Sequence, residues 1–190
     1  MAIDIHNLLA DALLELCEEK LLINITVKDL LSKTGVSRQT FYNRFHDKND
    51  LIQWTYEHKV LKSFLDNDYS NSYYENTLSY YRAIDAHRNF MKQACAIREQ
   101  NCLMDFMLWF VVDYDIKWHQ HLNNNQPLSE EQLFITKYHS IASIQVAIEW
   151  ISSNHPDPPE VMARRITNIR KINMSDTLFG KDCHVYDIPD

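Results

Sequence analysis

Glycine occurs only twice in the 190 residues of this chain, at Gly35 and Gly180. Neither follows Asn or Asp, so the two-residue signals that close β-hairpins are absent. Prolines number only five, and apolar residues recur at three- and four-residue steps through most of the chain. The expected fold class is all-α. In such a chain each breaker marks a helix boundary, and Gly35 marks the most informative one.

Gly35 lies within the stretch Thr26 to Leu51, TVKDLLSKTGVSRQTFYNRFHDKNDL. Thr26 offers a capping oxygen to a helix whose apolar face is Val27, Leu30 and Leu31. Gly35 supplies the left-handed residue that ends this helix. Ser37 is a second N-cap, and the next short helix runs from Arg38 to Phe45. Phe41 and Phe45 turn inward with Val36 beside them. The outer face then presents Arg38, Gln39, Thr40, Tyr42, Asn43 and Arg44, each able to hydrogen-bond to a base edge or a phosphate. Two helices joined by a glycine-containing turn, the second short and donor-rich, describe a helix-turn-helix with its recognition helix. The bland alternative is an ordinary surface helix pair, but cap, turn, core and polar face all agree on the first reading.

Roles follow from chemistry. Arg38 suits a bidentate contact to guanine, Gln39 or Asn43 suits adenine, and Thr40 suits a thymine methyl or a phosphate. Tyr42 suits a phosphate, while Arg44 and His46 suit backbone contacts or simple solvation. The capping residues Thr26 and Ser37 complete the candidate interface. Lys48 lies in the first turn of a following helix capped by Asp47, where backbone N–H groups and the helix dipole also favour an anion.

The run from Ile25 to Leu51, with Thr40-Phe41-Tyr42, Phe45, Lys48 and Leu51 at its centre, resembles the DNA-binding domain of TetR/AcrR-type transcriptional regulators. The likeness covers about the first quarter of the chain. Arg38-Gln39-Thr40-Phe41-Tyr42-Asn43, followed by Asp47-Lys48, Trp54 and Tyr56, most resembles a subgroup that includes the regulator and co-activator of dihydroxyacetone kinase operons. The resemblance implies an N-terminal three-helix DNA-binding head over residues 1–48. It implies a helical effector-binding and dimerisation body over 49–173, followed by a tail over 174–190. It also implies phosphate contacts for Tyr42 and Lys48. The family commonly has a glycine near Leu21, where this chain reads Lys20-Leu21-Leu22-Ile23-Asn24-Ile25, so the end of the first helix is left open.

A formal net charge of −7 at first argues against DNA. Between Thr26 and Lys48, however, five basic residues face two acidic ones, a local +3 that leaves −10 for the remainder. An acidic body carrying a locally basic head is compatible with DNA. The four cysteines, Cys17, Cys95, Cys102 and Cys183, have no metal-type spacing. No apolar run approaches the ~18 residues that span a bilayer, and no signal peptide is recognisable. A soluble, cytoplasmic protein is expected.

The first helix is expected over Ile3 to Leu21, and a long one from Asp47 towards Leu65. Asp66 to Ser72 reads as a connection, and Ala86-His87-Arg88-Asn89 as a break between two helices. Leu103 to Leu122 reads as one helix, ended by Asn123-Asn124-Asn125-Gln126-Pro127. Ser129-Glu130-Glu131-Gln132 resembles a capping box, and Pro159 suits the first turn of a last helix reaching about Ile172. The final two helices match the position of the family's dimerisation bundle. A homodimer has a physical motive too, since two heads on a palindrome double the bases read.

Between the long helices an effector pocket is expected, with Trp109, Phe110, Tyr114, Trp118, Phe134 and Tyr138 as aromatic candidates and His119, His121 and Gln145 as polar anchors; the alternative at each is plain core packing. Asp115 and His119 share a helix face but lack a specified third ligand, so no metal is expected. Neither a phosphate loop nor a nucleophile elbow is present, so no catalytic residue and no cofactor is expected. The leading function is a dimeric repressor on a palindromic double-stranded operator, released by a small molecule. The alternative is a co-activator of the same fold acting with a partner protein. A non-DNA-binding helical ligand-binding protein or enzyme is the outsider.

Overall fold

The computed structural model describes residues 4–65, 71–174 and 187–188. Every regular element among them is helical, so the chain is all-α. Helix α1 spans Ile5–Glu19, shorter than expected at both ends, and Ile3 lies outside the described residues. Asp4 caps it, its carboxylate accepting from the N–H groups of His6 and Asn7. A single 3₁₀ turn, Leu22–Asn24, follows. Helix α2 is Val27–Thr34 and α3 is Arg38–Tyr42. The expected extension of α3 to Phe45 is instead a tight turn, in which the N–H groups of Arg44 and Phe45 both reach the Phe41 carbonyl at 2.9 Å. Leu9, Leu13, Leu30, Phe41 and Phe45 are buried together and hold these helices around one core.

Helix α4, Lys48–Thr55, widens into a π-helical turn over Tyr56–Val60 and resumes as α5, Lys62–Leu65. The Leu61 N–H reaches back five residues to the Tyr56 carbonyl at 2.8 Å. The extra residue turns Tyr56, Val60, Leu61 and Phe64 all inward. The Asp66 to Ser72 connection lies largely outside the described residues.

The body is built from α6 (Tyr73–Ala86), α7 (Arg88–Ala94), α8 (Leu103–Leu122), α9 (Glu130–Ser152) and α10 (Pro159–Met174). Helices α8 and α9 pack along their length, as do α6 and α10. Asn124 and Asn125, at φ +54° and +58°, make the turn after α8 with the left-handed backbone that asparagine tolerates. Ser129 and Gln132 form the expected capping box. The C-terminal carbonyls of α9 at Trp150 and Ile151 accept from Arg88, whose guanidinium also lies 3.9 Å over the Trp150 ring. The tail beyond Met174 falls mostly outside the described residues, and with it Cys183. No described helix is long and apolar enough to cross a membrane.

Candidate nucleic-acid interface and effector cavity

The frame of α2 and α3 is set by short-range bonds. Thr26 Oγ1 accepts from the Asp29 N–H at 3.2 Å, and Asp29 accepts from the Thr26 N–H at 2.8 Å, a closed capping box. The Lys20 ammonium, 2.8 Å from Asp29, together with the Thr26 donors, holds that carboxyl well below the usual carboxylate range. Gly35 adopts φ +72°, which a side chain would strain although space is open around it. Ser37 Oγ accepts from the Thr40 N–H at 3.0 Å and pairs with Thr40 Oγ1 at 2.8 Å. Phe41 and Phe45 are buried, and the outward residues Arg38, Gln39, Tyr42, Asn43 and Arg44 are exposed. The Arg38 guanidinium lies 5.5 Å from the centre of the Tyr42 ring, which places two candidate DNA contacts side by side.

The five basic residues of this stretch are not equally available. Lys33 bridges to Glu15 and Glu19 of α1 at 3.0 and 3.2 Å. Lys48 is half-buried and donates to the Leu22 and Ile23 carbonyls at 3.0 and 3.3 Å, its pKa lowered by that burial. Lys28, Arg38 and Arg44 are exposed. His46 is exposed too, and its backbone N–H donates to Asp50.

Side chains of α7 also reach the head, which the sequence pattern did not reveal. Gln93 accepts from the Leu22 N–H at 2.6 Å and donates to the Cys17 carbonyl at 3.1 Å. Asn89 donates to the same carbonyl at 3.2 Å. Gln53 of α4 donates to the Asn101 carbonyl in the loop before α8. Trp54 of α4 stacks on His6 of α1 and on His58 of the π turn, with ring centres 5.5 and 4.3 Å apart.

A cavity of about 60 Å³ lies between α6, α8, α9 and α10. Of the six aromatic candidates, Phe110, Tyr114 and Trp118 line it. Trp109, Phe134 and Tyr138 do not: they are more than 60 % exposed on the outer faces of α8 and α9, and their placement is corrected accordingly. Tyr73, Asn76, Tyr80 and Tyr81 of α6 complete the inner wall, none of them among the pocket residues expected from the sequence. Asp115 and Arg170 form a buried ion pair at 2.6 Å beside the cavity, with Ser140 donating to Asp115 at 2.5 Å and the guanidinium 4.5 Å over the Tyr73 ring. His119 is fully buried against Thr136 at 3.0 Å, and burial lowers its pKa to about 4. The shared face of Asp115 and His119 is thus occupied by protein partners. Cys17 and Cys95 are buried thiols, both pushed up to about 12 by desolvation, which keeps them protonated and unreactive.

A hydrogen bond joins the cavity wall to the π turn that follows α4. Tyr80 meets the Tyr56 hydroxyl of the π turn at 3.0 Å, both rings buried.

Comparison with known proteins places this geometry. Residues 71–171, more than half the chain, match the TetR-type family model described as "Transcriptional regulator C-terminal region". The chain is 22 % identical over 152 residues to the HTH-type dhaKLM operon transcriptional activator DhaS of Lactococcus lactis subsp. lactis (strain IL1403), covering 77 % of this chain and 79 % of that protein. The solved structure of a dihydroxyacetone kinase operon activator DhaS superposes with a TM-score of 0.70 at 21 % identity, over 92 % of this chain and 98 % of that one. At that identity the likeness shows the fold.

Proposed function

The chain belongs to the TetR-type transcriptional regulators, and from that premise we propose that it is a homodimer that binds a near-palindromic double-stranded operator through α3 and responds to a small molecule held in the body cavity. The observation that carries the reading is the exposed face of α3, held in place by the Ser37 cap and the left-handed Gly35. Arg38, Gln39, Thr40 and Asn43 read base edges, and Tyr42, Arg44 and His46 engage phosphates. Thr26 and Ser37 fix the frame. Lys48 reaches a phosphate only by giving up two carbonyls, so we assign it to bracing the turn before α2.

Dimerisation through α9 and α10 is supported by the apolar side chains left on their outer surfaces. Phe134, Tyr138, Ile141 and Val146 of α9 and Ile169 of α10 are exposed, with Leu108 and Trp109 of α8 alongside. Patches of this kind mark interaction surfaces. Coupling from cavity to head is supported by the Tyr80–Tyr56 bond and by the Gln93 and Asn89 clamp.

The sign of regulation has two readings. A repressor released by its effector is the one expected from the sequence. An activator, with or without a partner protein, is favoured by both relatives being described as activators of their operons.

The test is a titration of the purified protein against a DNA fragment from upstream of its own gene at several salt concentrations. Wild type binds a near-palindromic site tighter than ~10⁻⁷ M, with log K falling linearly in log salt. The Arg38→Ala, Tyr42→Ala double variant loses most of that affinity. Equal, weak and sequence-independent binding by both proteins overturns the reading. Transcription from the same fragment, with and without the protein, separates repressor from activator.

A further inference from the structure

Asn76 faces the cavity from α6 and is 3 % exposed, yet neither its amide nitrogen nor its amide oxygen has a hydrogen-bond partner. A buried carboxamide left unmatched is costly, and natural structures keep such groups where something else satisfies them. Several polar neighbours in the wall are engaged with the protein itself. Thr77 donates to the Tyr73 carbonyl, Tyr80 pairs with Tyr56, and Ser143 accepts from Arg170. Asp115 accepts from both Ser140 and Arg170. The charges beside the cavity therefore neutralise each other, and a charged ligand would have to displace one of them at the cost of a stranded buried ion.

We propose that Asn76 is the recognition residue of the cavity and selects a small uncharged ligand carrying a hydrogen-bond donor beside an acceptor, a cyclic or primary amide being the simplest form. The Asn76 amide nitrogen donates to the ligand carbonyl, and its oxygen accepts from the ligand N–H. Phe64, Tyr73, Phe110 and Trp118 provide the apolar enclosure. The space, about 60 Å³, limits the ligand to a small molecule. The inference rests on the reading of this cavity as the effector site, and names the class of effector.

The experiment uses the full chain and three ring probes of similar size. 2-Pyrrolidinone has donor and acceptor, cyclopentanone has only the acceptor, and pyrrolidine is a cation at neutral pH. Binding is measured by saturation-transfer NMR at millimolar concentrations, the range for ligands this small. In wild type, 2-pyrrolidinone binds about tenfold tighter than cyclopentanone, the size of effect one matched buried hydrogen bond gives, and pyrrolidine does not bind. In Asn76→Leu the preference vanishes. Selective ¹⁵N-asparagine labelling gives a readout independent of the variant, because 2-pyrrolidinone shifts the Asn76 side-chain resonances and cyclopentanone leaves them in place. Equal binding of the neutral probes, preference retained in Asn76→Leu, or no probe binding while a buried water satisfies the amide would each overturn the inference. DNA affinity is recorded alongside. Asn76-dependent binding that leaves DNA affinity unmoved upholds the inference and removes the effector reading. Release of DNA by cyclopentanone or pyrrolidine, indifferent to Asn76, does the reverse.

Discussion

Two successive helices of the head, ending at Glu19 and at Thr34, close in opposite ways. At the end of α2, Gly35 turns left-handed, its N–H reaches the Leu31 carbonyl, and Thr34 Oγ1 donates to the Leu30 carbonyl. Every partner lies within four residues. At the end of α1 there is no glycine. Lys20 goes extended, and the stranded Cys17 carbonyl accepts from Asn89 and Gln93 of α7. The turn beyond it gives the Leu22 N–H to Gln93 and the Leu22 and Ile23 carbonyls to Lys48. The orphan groups of a helix end must be satisfied somewhere. One end keeps them local, and the other hands them to the body. The second arrangement makes the position of α7 part of the structure of the head, which a self-contained cap does not.

The ion pair of Asp115 and Arg170 is the extreme case of distant satisfaction, joining α8 to α10 in near-complete burial. Asp115→Ala leaves an uncompensated guanidinium there and lowers stability by about 3–5 kcal/mol, measured by urea unfolding. A loss below about 1 kcal/mol would mean that the body does not depend on this distant pair.

Acid offers a graded version of the same test. His119 is held neutral by burial, its folded pKa near 4 against about 6.5 unfolded. A base whose folded pKa is depressed leaves the unfolded state binding more protons, so its stabilising effect is complete above about pH 6.5 and is lost as pH falls towards 4. Between pH 7.5 and 5 this group alone removes about 2 kcal/mol, and His139, lowered for the same reason, acts in the same direction. Replacing His119 by Gln flattens the dependence. An unchanged slope would place the acid sensitivity elsewhere.

The two helix ends themselves come next. Gln93→Leu strands the Leu22 N–H and weakens the hold on Cys17, costing about 2 kcal/mol, and it also loosens DNA binding because the head loses its tie to α7. Gly35→Ala costs about 1 kcal/mol, from left-handed strain alone. If both variants lowered stability while only Gly35→Ala altered DNA affinity, the idea that α7 positions the head would fail.

This contrast also explains what the sequence could disclose. Thr26, Gly35, Ser37, Asp47 and Ser129 were legible as boundaries because each acts on residues three or four away, within any reading window. The role of Gln93 was not, since its partners in α1 and the following turn lie about seventy residues upstream. The cavity fell between these cases. Helix α8 carries large apolar side chains around its whole circumference, so periodicity could not say that Phe110, Tyr114 and Trp118 turn in while Trp109 turns out. Tyr80 and Asn76 were not candidates from the sequence, and only the packing of α6 on α10 brings them to one wall. The π turn left no local signature either, because it answers to the burial of Tyr56 against α6 and α8.

Lys48 gives the smallest effect and the sharpest division, since local and distant readings of it make opposite claims. Its place in the first turn of α4 suggests a phosphate contact, while the structure turns its ammonium onto the two carbonyls before α2. A lysine on a phosphate contributes about 0.9 to the slope of log K against log salt. One on those carbonyls contributes nothing to that slope and stabilises the turn by about 1 kcal/mol, the discounted value of a charged hydrogen bond that is only half-buried. We expect Lys48→Met to lower stability by that amount and leave the salt slope unchanged, with any loss of affinity arising from a looser head. Lys28→Met, an exposed lysine at the start of α2, is the control and should leave stability within about 0.5 kcal/mol of wild type. A slope reduced by nearly one unit in Lys48→Met, with stability intact, would show that the side chain leaves the carbonyls when DNA arrives, and that the turn before α2 is braced by something other than this lysine.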